Sequence, residues 1–142
     1  MEDLIYEVAI IGAGAAGLTS SIFCARSGLK VLLLDSKEKI GAKILMSGGT
    51  RCNVTNVEVT VRDYESENLR IVRNILAAFP SSKAVDFFNQ LNVDLVVEEG
   101  GKYFPSTHSG HTILEALVNE AKRLGVELVT GERKNAELRY GS

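Results

Sequence analysis

Two cysteines, two histidines and no long apolar run leave several kinds of function without support in this 142-residue sequence. Cys24 and Cys52 belong to no Cys-x-x-Cys pair, and no His/Cys cluster has zinc spacing. So few thiols fit a reducing compartment. His108 and His111 lack companion ligands, and they read as residues of a polar loop and a helix start. The longest apolar stretches, around Val8–Ile11 and Val31–Leu34, are strand-sized. They fall short of the roughly 18 residues that cross a bilayer. The acidic opening Met1-Glu2-Asp3 is wrong for a signal peptide. A cytoplasmic protein with no membrane partner is expected. A basic excess is missing too. Lys and Arg total 16 against 18 Asp and Glu, a net charge of −2, which argues against a nucleic-acid partner.

What is present is an ordinary globular composition, 45% hydrophobic and 24% charged, on a chain of one-domain length. The 13 glycines are in excess and clustered. Tyr6–Ile11 is a short β-branched run that reads as a buried strand ending at glycine. Gly12–Gly17 is a glycine-rich turn. Small and apolar residues from Ala15 to Ser27 suit a helix that Gly28 stops. Lys30–Leu34 is a second buried strand, ending at Asp35. The order and size are those of a βαβ unit with parallel strands.

Farther on, residues 36–56 show no periodicity and form a long Gly, Ser, Lys and Asn-rich loop, the kind that usually carries function. Asn68–Phe79 suits a helix, which Pro80 ends. Ser81 or Ser82 is placed to cap the next helix, to about Leu91. Val93–Glu98 and Lys102–Phe104 flank Gly100-Gly101 as a small hairpin. Thr112–Leu124 is an amphipathic helix, Gly125 stops it, and Val126–Thr130 is a third strand. A last extended piece is expected over Asn135–Tyr140. The fold class is therefore α/β: a Rossmann-like FAD- or NAD(P)-binding fold with a three-stranded parallel core. A helical and hairpin insertion, 57–108, precedes the third strand, and 131–142 starts a crossover.

Gly12-Ala13-Gly14-Ala15-Ala16-Gly17 fits G-x-G-x-x-G in the required strand–turn–helix setting. Gly12 allows the tight turn, Gly14 lets a pyrophosphate approach the backbone, and Gly17 permits close packing of helix on strand. The helix start then offers free N–H groups and partial positive charge to the anion. Asp35 lies where an acid accepts hydrogen bonds from both hydroxyls of an adenosine ribose. It would repel a 2′-phosphate, favouring FAD or NAD over NADP. Ser36 and Lys37 follow it at the same strand end. The βαβ unit itself does not choose between FAD and NAD.

Ile40–Asn56 reads IGAKILMSGGTRCNVTN. Gly48 and Gly49 let backbone approach a flat or phosphate-bearing ligand. Lys43 and Arg51 offer charge to a pyrophosphate, and Ser47, Asn53, Thr55 and Asn56 offer neutral hydrogen bonds to a ribityl chain or flavin edge. Cys52, beside Arg51, reads either as a packed residue or as a thiol activated by the cation. This segment resembles the hallmark of the YhiN/BaiN-type flavoproteins, NAD(P)/FAD-dependent oxidoreductases with glutathione-reductase-like FAD domains. That hallmark reads G-[RK]-K-I-L-x-S-G-G-G-R-C-N-x-T-N. The match holds at Gly41, Lys43–Leu45, Ser47–Gly49, Arg51–Asn53, Thr55 and Asn56, and departs at Ala42 and Thr50. Gly101-Lys102-Tyr103-Phe104-Pro105 and the helix after it continue the likeness.

The resemblance implies FAD as cofactor, NAD(P)H as reductant and an organic small-molecule acceptor, an enone in some relatives. It identifies no catalytic acid or base. It also implies that a further segment completes the flavin-ring and substrate environment, so that this chain supplies the adenosine and pyrophosphate part. An unpaired sheet edge would then favour self-association. The alternatives are an NAD-binding dehydrogenase domain, which Asp35 permits, and a non-catalytic nucleotide-binding fragment.

Overall fold

The fold is taken from a computed structural model in which residues 5–131 are described. Two compact units emerge among them, one formed by 5–42 with 121–131 and the other by 43–120.

The first unit is built on a parallel sheet. Strands β1 (Val8–Ile11) and β2 (Val31–Asp35) flank the helix α1 (Ala15–Arg26) in sequence, and a later strand, β6 (Glu127–Thr130), joins β2. The strand order is β1-β2-β6. Val8 pairs with Val31, and Leu32 with Glu127. Leu18, Ile22, Val31 and Leu33 are fully buried or nearly so, and they form the core between helix and sheet. Burial of such side chains contributes roughly 1.5–3 kcal/mol each. Ser21, also fully buried, donates its hydroxyl to the Leu18 carbonyl at 2.7 Å. That satisfies the only strongly polar group placed on the apolar face of α1. The parallel three-stranded α/β core is thus as expected. The boundaries move by one or two residues.

The second unit holds the short helix α2 (which begins one residue earlier, Ala42–Met46), strand β3 (Thr55–Asn56), helices α3 (Leu69–Ala78) and α4 (Ser81–Gln90), and strands β4 (Leu95–Val97) and β5 (Lys102–Pro105). Helix α5 (Gly110–Arg123) runs out of it. The hairpin around Gly100-Gly101 is present, with Val97 opposite Tyr103. It also has a third strand: β3 pairs with β5, giving the order β3-β5-β4. The 36–56 loop is therefore more ordered than its composition implies, with a helix and a strand inside it. The compact unit also extends beyond the expected 57–108 insertion on both sides. Pro80, not a serine, occupies the N-cap of α4, because the Ser81 hydroxyl is drawn to β3: it bonds the Asn56 carbonyl and lies 3.0 Å from Thr55 Oγ1. Asn68 caps α3 by accepting from the Ile71 N–H at 3.3 Å. The start of the crossover and the extended piece over 135–140 lie outside the described residues. No helix among the described residues is long and apolar enough to cross a membrane.

Candidate functional site

In the first unit, β1 ends and the chain turns at Gly12, whose φ of +99° lies in the region that glycine alone adopts readily. The turn is tied to β2 by the Gly12 N–H donating to the Leu34 carbonyl at 2.7 Å. The three motif glycines then prove to be there for different reasons. A Cβ on Gly17 would sit 1.8 Å from the Gly12 carbonyl oxygen, so that position must be glycine for α1 to leave the turn at all. Gly14 is the N-cap, with φ −86° and ψ −169°, values any residue adopts. A Cβ there would meet nothing within 4 Å. Nothing among the described residues requires glycine at Gly14, whereas a ligand lying against the backbone would.

The start of α1 is equipped for an anion. No side chain caps it and no acid lies in its first turn. Among the described residues, the N–H groups of Gly14, Ala15 and Ala16 have no hydrogen-bond partner. Ala15 and Ala16 are exposed. These are the donors that hold phosphates at helix starts.

Asp35 closes the site from β2. Its Oδ2 accepts from the Ala13 N–H at 2.7 Å and its Oδ1 from the Lys37 N–H at 2.9 Å. The Lys37 N–H and then the Ala13 N–H hold its carboxyl below the usual carboxylate range, with a smaller contribution from the Lys37 charge and partial opposition from burial. Asp35 is thus a fixed anion that fastens the glycine turn to the end of β2. Each oxygen keeps a lone pair for another donor. Ser36 and Lys37 are exposed beside it.

The second unit carries the other candidate residues, Lys43 on α2 and the rest on the loop after it. Gly48, Gly49, Thr50 and Cys52 all have positive φ, between +55° and +72°. For Thr50 and Cys52 this costs on the order of 1–2 kcal/mol each. Strain of this kind persists where the surroundings over-determine it. Here the Cys52 N–H donates to the Ser47 carbonyl at 2.9 Å, the Gly110 N–H to the Thr50 carbonyl at 2.9 Å, and the Ser47 hydroxyl to the Ile44 carbonyl at 3.1 Å. The N–H groups of Gly48, Gly49, Thr50 and Arg51 have no partner among the described residues. Gly48, Gly49, Thr50, Asn53 and Lys43 are exposed. The loop presents a row of unused backbone donors, and the Asn53 amide has no hydrogen-bond partner among the described residues.

Arg51, expected to offer its charge to a pyrophosphate, has that charge balanced inside its own unit. Its Nη1 donates to both Glu98 oxygens, at 2.8 and 2.7 Å, and its guanidinium lies 4.2 Å from the centre of the Phe104 ring. Its Nη2 keeps its donors. Cys52 is buried, and burial pushes its thiol up, partly offset by the nearby Ser47 side chain. The packed-residue reading of Cys52 therefore stands over the activated-thiol one. His108 lies in the loop before α5 and His111 in its first turn, as expected. No group of three or more metal-ligating side chains gathers among the described residues.

The partner of Arg51, Glu98, was missed by sequence reasoning, because nothing in the sequence sets it apart from its neighbour Glu99 at the hairpin turn.

The chain is 36% identical over 132 residues to a 3-dehydro-bile acid delta(4,6)-reductase of Clostridium scindens, covering 92% of this chain and 32% of that protein. It is 37% identical over 118 residues to a ribosomal RNA dihydrouridine synthase of Escherichia coli K12, covering 83% of this chain and 29% of that one. The chain thus spans about a third of the length of the curated relatives it matches. Among solved structures, a flavocytochrome c3 fumarate reductase superposes with a TM-score of 0.61 at 22% identity, over 89% of this chain and 26% of that one. The Thermovibrio ammonificans THI4 structure does so with 0.58 at 19%, over 90% and 38%. These likenesses show the Rossmann-like fold of FAD-binding domains. The model of the HI0933-like protein Rossmann domain matches residues 6–138, nearly the whole chain, and the chain belongs to that family.

Proposed function

We propose that this chain is the FAD-binding domain of a flavin-dependent oxidoreductase that passes a hydride from NAD(P)H through FAD to an organic acceptor such as an enone. The observation that carries the cofactor reading is Gly14: ordinary backbone, open space where a side chain would go, and unused N–H groups beside it. In this reading Gly14, Ala15 and Ala16 donate to the pyrophosphate, and Asp35 accepts from the adenosine ribose. The unused donors of Ser47–Asn53 are assigned to the flavin. When bound, FAD supplies the two-electron redox chemistry, and the protein positions and tunes it. FAD is preferred over NAD because the Ser47–Asn53 segment matches the flavoprotein hallmark. The bile-acid reductase relative, by its name, supports a reductase acting on a small organic molecule. The chain spans about a third of the length of such relatives, and little catalytic turnover is expected of it by itself.

The test is a visible spectrum of the purified chain with added FAD, together with calorimetry against ADP and FAD. Bound flavin absorbs near ~450 nm, whereas bound NAD does not. Binding of ADP and FAD, weak retention of flavin on gel filtration, and little NADPH oxidation above free flavin are expected. A chain that binds NAD but not FAD would overturn the flavin reading. A tightly flavinated, active monomer would overturn the expectation of little turnover.

A further inference from the structure

We propose that Glu98 is a positioning residue for the cofactor loop, acting through Arg51. The inference rests on the assignment of Ser47–Asn53 to the flavin. The loop holds an unusual backbone, left-handed at Gly48, Gly49, Thr50 and Cys52, in which the Cys52 N–H bonds the Ser47 carbonyl and the Gly110 N–H the Thr50 carbonyl. Arg51 lies inside that run. Its Nη1 reaches both oxygens of Glu98 at 2.8 and 2.7 Å, its Nε points to the Gly48 carbonyl at 3.4 Å, and its plane covers Phe104.

Glu98 is a firm anchor. Its N–H donates to the Lys102 carbonyl at 2.9 Å and its carbonyl accepts from the Gly101 N–H at 3.0 Å, so its backbone closes the β4–β5 turn. His108 Nδ1 stands 3.3 Å from Glu98 Oε1. Phe104, on β5, is buried, and a Cβ on Gly48 would meet its ring edge at 2.8 Å. One side chain thus ties the loop to the hairpin by charge on one side and by ring contact on the other. The N–H groups of Gly48–Arg51 stay without a partner among the described residues. The geometry points to Glu98 as the group that keeps those donors in place while making no contact with the cofactor itself.

The decisive experiment uses Glu98→Gln, which keeps the size and removes the charge, with Glu99→Gln as an exposed neighbour making the same change in net charge. FAD and ADP affinities are measured by calorimetry, and amide hydrogen exchange is followed in the protein without cofactor. The reporters are the Cys52 and Gly110 amides, both bonded to loop carbonyls. Glu98→Gln is expected to lose about tenfold in FAD affinity with ADP affinity unchanged, and to exchange both amides about tenfold faster. Glu98→Asp should fall between it and wild type, and Glu99→Gln should match wild type. Wild-type FAD affinity in Glu98→Gln overturns the proposal, whether or not exchange changes, because the ion pair would then be a structural clip only. Equal losses of ADP and FAD overturn it as well, since the damage would be general. Failure of the flavin assignment is distinct: it appears in the wild type, as ADP binding without FAD binding, and it removes the proposal too.

Discussion

Replacing Gly14 and Gly17 in turn separates what the ligand needs from what the fold needs. A methyl on Gly17 would be driven to 1.8 Å from the Gly12 carbonyl, well inside contact distance. The atoms met are backbone, at a turn fixed by a 2.7 Å bond to β2, so relief requires the start of α1 to move off the sheet. Overpacking of this kind costs about 3 kcal/mol or more. For a chain of this size that lowers Tm by on the order of 10 °C. Gly14→Val is the opposite case. The extended φ and ψ at that residue suit a β-branched side chain, and its Cβ has nothing within 4 Å. Stability should fall only by the preference of the N-cap for glycine over valine, about 0.5–1 kcal/mol. ADP affinity, however, should drop at least about tenfold, ~1.4 kcal/mol, because two methyl groups enter the path of the pyrophosphate. Thermal melting and ADP calorimetry on both variants measure the contrast. A folded Gly14→Val variant that binds ADP like wild type would refute the reasoning about Gly14. Gly17→Ala melting with wild type would refute the packing argument.

Other outcomes follow from the same geometry. Asp35→Asn should weaken ADP binding by about ten- to a hundredfold, the cost of losing a charge-assisted bond of roughly 1.5–3 kcal/mol, and wild type should bind 2′-phospho-ADP worse than ADP in calorimetry. Because the Asp35 carboxyl is held below its ordinary value in the fold, its stabilisation is complete above about pH 4 and is lost as pH falls through the lowered value. Acid melts should show this component shrink in Asp35→Asn. Cys52, buried and with its thiol pushed up, should resist iodoacetamide at pH 7 in the native protein and react once urea unfolds it, as peptide mass mapping would read. Gly48→Ala should cost about 1–3 kcal/mol in denaturant melts, since a Cβ would meet the Asn53 nitrogen at 2.7 Å and the Phe104 ring at 2.8 Å.

The sheet and the glycine turn were legible because their signals are local. Val8–Ile11 and Val31–Leu34 are unbroken apolar runs, and Gly12, Gly14 and Gly17 sit at fixed offsets between them. The 36–56 segment was not, for two physical reasons. Helix α2 is a single turn and a half, too short to show a period, and β3 is two residues whose partner, Tyr103 opposite Thr55, lies far along the chain. The residue types of the loop mark it as a candidate site, but the engagement of Arg51 with Glu98 is non-local and has no signature in spacing. Left-handed Thr50 and Cys52 were hidden for a related reason: their conformation is imposed by bonds to Ser47 and Gly110, not by their own preference.

The place of β6 in the sheet has a consequence for how the chain folds. Its residues pair with β2 in register, Leu32 with Glu127, across roughly ninety intervening residues. Closing so long a loop in an unfolded chain is entropically costly and gives little contact until the last residues meet, so parallel pairing of this kind is slow. The β4–β5 hairpin and the helices before it involve mostly near neighbours and can organise beforehand. Folding of the 43–120 unit then removes most of the freedom that the β2–β6 loop would otherwise lose. The third strand should be the last part of the sheet to gain hydrogen-exchange protection during refolding. Substitutions that weaken the inserted unit should slow the completion of the sheet even where they touch none of its strands.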